Sequence, residues 1–299
     1  TSDNYTDLYF FGFGHEYKEA LQAYTSIAGA AVMPPRFALG VWWSRYWPYT
    51  AEDLLDIARG YASHAIPLDV LVSDMAWHYH GETPVSWGGY TWGRQLFPAP
   101  GKFLDAIAAA GLNLTLNLHL EPVDPANEDP RHFDEFVKAL GIAPVKPNVT
   151  VPSPESSPYI GTVAEEITKS KKFAEAYLGL LDKMGTNFWW LDDTPDWVAR
   201  LLYEHSSTKM ERGLTFARWA GLGSHRYPIG FSGDTYMEWE SLAFQPFFTA
   251  TASNVLFYWS HDIGGHRSTK CPLGGHSKTE PGEACEFGHT VSAYDPELY

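Results

Sequence analysis

Aspartates follow several apolar runs of the sequence, each at a point where a strand would end. Asp74 follows LDVLVS, Asp192 follows FWWL, Asp234 follows IGFSG and Asp262 follows FYWSH. A carboxylate that emerges directly from an apolar run is hard to explain as an ordinary surface charge. Two carboxylates held about 5 Å apart can carry glycoside hydrolysis, one attacking the sugar and the other protonating the leaving group. Each aspartate could instead cap the helix that follows it, and the sequence alone leaves that alternative open.

Two basic side chains end further apolar runs. Arg218 follows GLTFA, where it could pair with one of the acids or hydrogen-bond a sugar hydroxyl. His119 follows NLTLNL, and a packed barrel histidine is its more ordinary role.

Other catalytic chemistries lack their sequence motifs. The closest histidine pairs show neither an H-E-x-x-H run nor Cys–His ligand spacing, so we expect no metal. The run GFSGD does not match the G-x-S-x-G motif of a serine nucleophile. Because no glycine-rich phosphate loop follows a strand, we also expect no cofactor.

The elements that must position these side chains alternate between short apolar strands and helices, a pattern typical of βα units. Strands are predicted at 37–43, 66–75, 113–120, 187–193, 213–219, 227–234 and 255–262. Helices are predicted at 15–29, 50–63, 98–110, 130–140, 163–184, 197–210 and from about 239, with a loop at 142–161. Functional side chains end several different strands, which favours an α/β fold of the (β/α)8 TIM-barrel type over a doubly wound sheet. Seven strands can be counted, so we expect a barrel truncated after its seventh strand.

The predicted domain organisation is simple. Residues 1–36 form an N-terminal helix and lead-in, and residues 37–299 form the incomplete catalytic barrel. A loop insertion is expected at about 266–293, and it contains Cys271 and Cys285, which could be bonded or free.

Composition narrows the class of partner. The chain of 299 residues has a formal net charge of −15, which argues against nucleic acid and anionic membranes. Its 12 Trp, 17 Tyr and 17 Phe suit the flat apolar faces of sugars, and an aromatic-rich core explains them equally well. Sequons at Asn4, Asn113 and Asn148 would fit a secreted or endomembrane-lumen protein, with Asn148 the best acceptor and Asn113 a structural residue. The composition predicts neither an oligomeric state nor a transmembrane helix.

Several of these motifs, in this order, resemble glycoside hydrolase family 31. The segment PPRFALGVWWSRYWPYT is similar to the family's first strand and loop, and IPLDVLVSDMAWH to its second strand. The run FWWLDD stands where the family has its nucleophile motif. The block from RWAGLGSHRYPIGFSGD onward resembles its acid/base block, and SHDIGGH the next strand end.

The resemblance implies a role for each matched position. Asp192 would be the nucleophile and Asp234 the general acid/base. The remaining matches imply hydroxyl-binding and wall residues of the −1 sugar subsite: Asp74, Arg218 and Asp262 for the hydroxyls, and Trp190, Phe231 and Trp47, or its neighbour Tyr46, for the walls.

The implied reaction is retaining exo-α-glycosidase action through a glycosyl-aspartate, without metal or cofactor. An oligosaccharide or glycoside is the implied partner, and α-glucosidase is the leading activity. Open alternatives are α-galactosidase, α-xylosidase or transglycosylase action, or a truncated glycan-binding homologue that does not turn over. The sequence departs from the family in having Asp193, Thr194 and Pro195 after the nucleophile, and it lacks the last barrel strand with its substrate-binding histidine.

Overall fold

The fold was analysed in a computed structural model. It describes residues 8–78, 88–123, 125, 128–141, 163–192, 194–218, 222–256, 258–263, 278–279, 283–286 and 289–290. Outside these residues lie the predicted loop at 142–161, Asp193, Cys271 and the sequons at Asn4 and Asn148.

A sheet of seven parallel strands forms the centre of the fold, and its strands follow one another in chain order. The strands are β1 (Trp42–Trp43), β2 (Val70–Ser73), β3 (Asn113–Leu118), β4 (Trp189–Leu191), β5 (Thr215–Ala217), β6 (Pro228–Phe231) and β7 (Trp259–Ser260). A doubly wound sheet would reverse its strand order at a switch point, and this one does not. The predicted barrel class is therefore confirmed, as a curled sheet whose edges are β1 and β7.

Helices connect the strands. They are α1 (Tyr17–Ala28), α2 (Ala51–Ser63), α3 (Pro100–Ala109), α4 (Pro130–Ala139), α5 (Val163–Lys169), α6 (Lys171–Asp182), α7 (Asp196–Ser206) and α8 (Trp239–Leu256). None of the helices in the described part of the chain is both long and apolar enough to cross a membrane.

The two faces of the strands build two different layers. Leu71 of β2 and Leu116 of β3 join a large core cluster that includes residues of the surrounding helices. Val70 and Val72 join a second cluster inside the curl of the sheet, which we call the inner cluster. This alternation follows from the two-residue period of a strand. On β3 the positions between the leucines are polar, so the inner side of this strand carries side chains such as Asn117.

The first predicted strand, at 37–43, is wrong in most of its length. Residues Arg36–Leu39 form a 3-10 turn, and only Trp42 and Trp43 pair with β2. Pro35, whose ring fixes its φ near −57°, precedes the turn, and its carbonyl accepts a hydrogen bond from Ala38. The apolar character of this stretch reflects packing in the inner cluster and not strand pairing.

The helix predicted at 163–184 is two helices, α5 and α6. Ser170 between them has φ −145° and ψ 113°, and its hydroxyl accepts a hydrogen bond from the Phe173 amide. The serine thus ends one helix and caps the next. Because Ile167 and Tyr177 are buried on both sides of the break, the apolar periodicity conceals it.

The seventh strand is shorter than predicted, because residues 255–256 belong to α8. Within the predicted insertion at about 266–293 the structure describes three short antiparallel strands, β8 (Lys278–Thr279), β9 (Glu283–Glu286) and β10 (His289–Thr290). With two to four residues each, they are too short to show the apolar alternation by which a strand is recognised.

Thr50 begins α2 with a reciprocal cap. Its hydroxyl accepts from the Asp53 amide at 3.1 Å, and the Asp53 carboxylate accepts from the Thr50 amide at 2.9 Å. We expect Thr50→Ala to lower the free energy of unfolding by about 1 kcal/mol, because one helix N–H loses its partner. Urea unfolding would measure this. Thr50→Ser is the control and should retain most of the stability, so equal losses in both variants would contradict a role for the cap.

Candidate active site

The candidate active site lies at the carboxyl ends of the parallel strands. Asp74, Asp192 and Arg218 directly follow β2, β4 and β5. Asp234 and Asp262 come three and two residues after the ends of β6 and β7. In a parallel barrel these ends meet at one rim. The charges of the other three aspartates act on Asp74, so the structure brings the four predicted acids together.

Arg218 joins two of these carboxylates. Its Nε lies 2.7 Å from Asp192 Oδ1, and its Nη2 donates to Asp192 Oδ2 at 3.1 Å. The same Nη2 donates to Asp234 Oδ1 at 2.8 Å. Since one nitrogen contacts both carboxylates, these two oxygens are at most ~6 Å apart. That limit fits the separation of about 5–5.5 Å between the carboxyl groups of retaining glycosidases better than the 6.5–9.5 Å of inverting enzymes.

Asp192 is buried and is surrounded by hydrogen-bond donors. Asn117 donates to its Oδ2 at 3.4 Å, and His119 Nε2 lies 3.6 Å from the same oxygen. Burial by itself would raise the pKa of the Asp192 carboxyl. The imidazole of His119, the charge of Arg218 and the amide of Asn117 outweigh burial and hold the pKa below its usual value. Asp192 is therefore an ionised carboxylate at neutral pH.

Helix capping does not explain Asp192. Helix α7 begins at Asp196, and its N-cap residue is Pro195, which makes no side-chain cap hydrogen bond. For Asp74 the capping alternative is correct in part, because its carboxylate accepts a hydrogen bond at 2.8 Å from the Met75 amide at the start of a short 3-10 helix.

Asp74 and Asp262 differ from Asp192 in their protonation. Burial raises the pKa of Asp74 to about 7, and the charges of the other aspartates add to this effect. Burial and the charge of Asp234 raise the pKa of Asp262 to about 7, although Arg218 acts in the opposite direction. One cluster thus contains a permanently ionised carboxylate and two carboxyls that exchange protons near neutral pH.

Aromatic rings pack beside the acids. The ring of Phe231 stacks on Phe216 at 4.5 Å between centroids and meets Trp190 edge-on at 5.7 Å. The guanidinium carbon of Arg218 lies 5.8 Å from the centre of the Phe231 ring. Phe231 therefore adjoins the arginine that joins the two carboxylates, and Trp190 packs on the other rings of this group. Trp47 lies in the segment between β1 and α2, where Arg45 stands 5.0 Å over its ring.

Two side chains of the β3 region lie closer to Asp192 than the sequence predicted. Asn117 does not appear among the predicted site residues, and His119 is assigned there a packing role, yet both approach Asp192. The alternation in NLTLNLHL was the available signal, because it places residues 113, 115, 117 and 119 on one side of the strand.

Gly233 brings the backbone close to Arg218. It has φ +73°, and a Cβ atom there would lie 3.0–3.2 Å from three atoms of the arginine side chain. We expect Gly233→Ala to cost about 1–2 kcal/mol of stability from the left-handed backbone, with further loss from the contact. Thermal or urea unfolding would measure it.

Gly60→Ala in α2 is the matched control for Gly233→Ala. A Cβ atom at residue 60 would meet nothing within 4 Å, so this substitution should be neutral or stabilising. A Gly233→Ala protein as stable as the control would contradict the close approach.

The raised pKa of Asp74 predicts a pH-dependent stability. The native state holds this proton more tightly than the unfolded state, so the stabilisation is complete below about pH 4 and is lost as pH rises through about 7. Asp74→Asn keeps an acceptor for the Met75 amide but cannot ionise. Relative to the unsubstituted protein, we expect it to gain on the order of 2 kcal/mol between pH 5 and pH 8. Urea unfolding at both pH values would measure this. Asp105→Asn, on the exposed side of α3, is the control. The same effect of Asp74→Asn at both pH values would contradict the assignment.

Known proteins that are similar to this chain agree with the interpretation of the site geometry. Residues 31–198 and 197–286 match the family model described as the glycosyl hydrolases family 31 TIM-barrel domain. Over 127 residues the chain is 32% identical to alpha-glucosidase 2 of Bacillus thermoamyloliquefaciens, a match that covers 42% of this chain and 15% of that enzyme.

Solved structures share the fold at lower identity. The GH31 alpha-xylosidase of Xanthomonas citri has a TM-score of 0.64 at 18% identity, covering 86% of this chain and 31% of that one. A GH31 dextranase of Flavobacterium johnsoniae, solved as a D412A mutant with isomaltotriose, has a TM-score of 0.62 at 19% identity, with 86% and 35% covered. The chain thus spans a minor part of each of these proteins. Since the family model matches most of its length, this chain belongs to glycosyl hydrolase family 31 and carries part of its TIM-barrel domain.

Proposed function

We propose that the protein is a retaining exo-α-glycosidase in which Asp192 and Asp234 carry the reaction. The main support for this proposal is that one nitrogen of the Arg218 guanidinium contacts both carboxylates. A separation of at most ~6 Å between these two oxygens suits direct attack by one carboxylate better than the wider separation that an inverting enzyme needs for its water molecule.

Asp192 is the nucleophile in this proposal. Its lowered pKa supplies an ionised oxygen at neutral pH, and burial excludes water that would compete for the sugar. In the first step an Asp192 oxygen forms a bond to the anomeric carbon while the glycosidic bond breaks. In the second step water attacks that carbon, and the carboxylate leaves. Two inversions give net retention.

Asp234 is the general acid/base. Its side chain is 18% exposed against 8% for Asp192, so a leaving group and then a water molecule can reach it. It gives its proton to the departing oxygen in the first step and takes a proton from water in the second. For the first step Arg218 must leave one Asp234 oxygen free to bear that proton.

Asp74, Asp262 and Arg218 would bind the sugar hydroxyls. A carboxyl group whose pKa is near 7 can accept a hydrogen bond or donate one, which suits hydroxyls that do both. Trp190 and Phe231 would pack against the apolar side of the ring, and Trp47 would contribute another wall. The buried indole N–H of Trp190 has no hydrogen-bond partner among the described residues, so a ligand oxygen could accept from it.

We propose a terminal α-glucoside within an oligosaccharide or glycoside as the substrate. The support is the 32% identity with an α-glucosidase; family members that act on xylosides and dextran share the fold. An α-xylosidase, α-galactosidase or transglycosylase activity would use the same carboxylates with different subsite loops. A glycan-binding protein without turnover is the alternative from another class, and the retained Asp192 and Asp234 argue against it.

Removal of each carboxylate tests the roles separately. In the complete protein, Asp192→Ala should abolish hydrolysis of an aryl α-glucoside, and azide should restore turnover with a product of inverted configuration. Asp234→Ala should lose about 10²–10⁴-fold in kcat/KM on substrates with poor leaving groups and far less on activated ones. There azide should give a product of retained configuration. Proton NMR of the products reads the anomeric configuration.

Asp105→Ala is the control for both variants, because this residue lies on the exposed side of α3. Full activity of Asp192→Ala would refute the assignment of the nucleophile. Binding of glucosides without turnover in the complete, unsubstituted protein would favour the glycan-binding alternative. A panel of aryl α-glucosides, α-xylosides and α-galactosides decides the sugar.

A further inference from the structure

Strand pairing places two side chains of the β3 region next to Asp192. In the register of β3 with β4, Asn117 pairs with Trp190 and Leu118 with Leu191. The Asp192 amide continues this ladder by donating to the Leu118 carbonyl at 3.1 Å. His119 is therefore the neighbour of Asp192 at the ends of the two strands, and its position is set by backbone hydrogen bonds.

Three donors converge on a single oxygen of Asp192. Arg218 Nη2 lies 3.1 Å from Oδ2, Asn117 Nδ2 lies 3.4 Å from it, and His119 Nε2 lies 3.6 Å from it. The His119 side chain is 14% exposed, so water screens this contact only weakly. A distance of 3.6 Å is longer than a formed hydrogen bond. Catalytic hydrogen bonds are often this loose before a ligand arrives, and a small rotation of the ring would close the gap.

Negative charge exceeds positive charge in this cluster, so a second hydrogen-bond donor that can carry positive charge would stabilise it. In the part of the chain that the structure describes, the guanidinium of Arg218 forms ion pairs with two of the four carboxyls in the cluster. The titratable and charged groups that lie around His119 and its partner come from the ends of five other strands: Asp74, Asp192, Arg218, Asp234 and Asp262. Arg218 is already shared between two of them. An imidazole that faces Asp192 adds a donor, and when protonated a charge, which Asp192 need not share with Asp234.

We propose that His119 is a positioning residue for the nucleophile, donating from Nε2 to Asp192 Oδ2 so that the carboxylate stays ionised and correctly turned for attack. This proposal rests on the proposed role of Asp192. His119 itself forms no bond to the sugar; it acts through Asp192, together with Asn117. The ring must then carry its proton on Nε2, as the neutral tautomer or as the imidazolium.

Packing is the competing explanation for a buried histidine, and the pH profile separates the two. A packing residue affects stability and leaves the titration of Asp192 alone. A positioning residue lowers the pKa at which Asp192 ionises, so its loss moves the acidic limb of kcat/KM to higher pH.

The experiment measures the pH dependence of aryl α-glucoside hydrolysis by the complete protein. His119→Leu has similar volume without a donor, and His119→Gln keeps an N–H near the position of Nε2. We expect His119→Leu to lose about 10–100-fold in kcat/KM and to move the acidic limb upward by about one pH unit. His119→Gln should recover most of the rate and most of the shift. His64→Leu, at an exposed histidine after α2, is the control and should leave the profile unchanged.

Several outcomes would overturn the proposal. His119 would be assigned to packing if the acidic limb of His119→Leu is unchanged and its kcat/KM is within about twofold of the unsubstituted protein. A variant that differs only in a lower melting temperature would lead to the same conclusion. If His119→Leu does not fold, His119→Asn replaces it, because its shorter amide cannot reach Oδ2; equal profiles for the Gln and Asn variants would then refute the proposal. Azide rescue of Asp192→Ala in the same assay distinguishes failure of the positioning role from failure of the proposed function. If azide rescues Asp192→Ala but the His119 variants keep the normal pH profile, only the positioning role is rejected. If azide does not rescue Asp192→Ala, the proposed function is rejected.

Discussion

The sharing of one guanidinium between two carboxylates is the constraint on which the site depends. Arg218 holds the carboxylates of Asp192 and Asp234 close together, and without it their like charges would repel each other. The arginine needs space, and Gly233 supplies it by having no Cβ atom beside the side chain. The glycine after β6 thus makes room for the ion pairs among Asp192, Arg218 and Asp234, which follow β4, β5 and β6.

Protonation differs among Asp74, Asp192 and Asp262 because their surroundings differ. Donors surround Asp192 and keep it charged, while Asp74 and Asp262 are buried with less compensation and have a pKa of about 7. The excess of negative charge is therefore relieved by protons as well as by Arg218. This arrangement suits the proposed reaction, in which positive charge develops on the sugar ring, because the cluster contains both an ionised carboxylate and carboxyls that hold protons near neutral pH.

The sequence was sufficient to predict the barrel class and the strand ends that carry the acids. These features depend on local patterns: apolar runs and a charged residue after each run. It was insufficient where tertiary contacts decide. The break at Ser170 interrupts a periodicity that continues on both sides, and the 3-10 turn at Arg36–Leu39 has the apolar composition of a strand. The proximity of His119 to Asp192 depends on the register of β3 against β4, which no single strand specifies.

Strand length has a consequence for the exchange of backbone hydrogens with solvent. Strands β2 and β3 pair over four residues, whereas β1 with β2 and β6 with β7 pair over two. The hydrogen bonds between β2 and β3 also lie between the two core clusters, which exclude water from both faces. Amide hydrogens of these two strands are therefore the ones that the sheet should release to deuterium last.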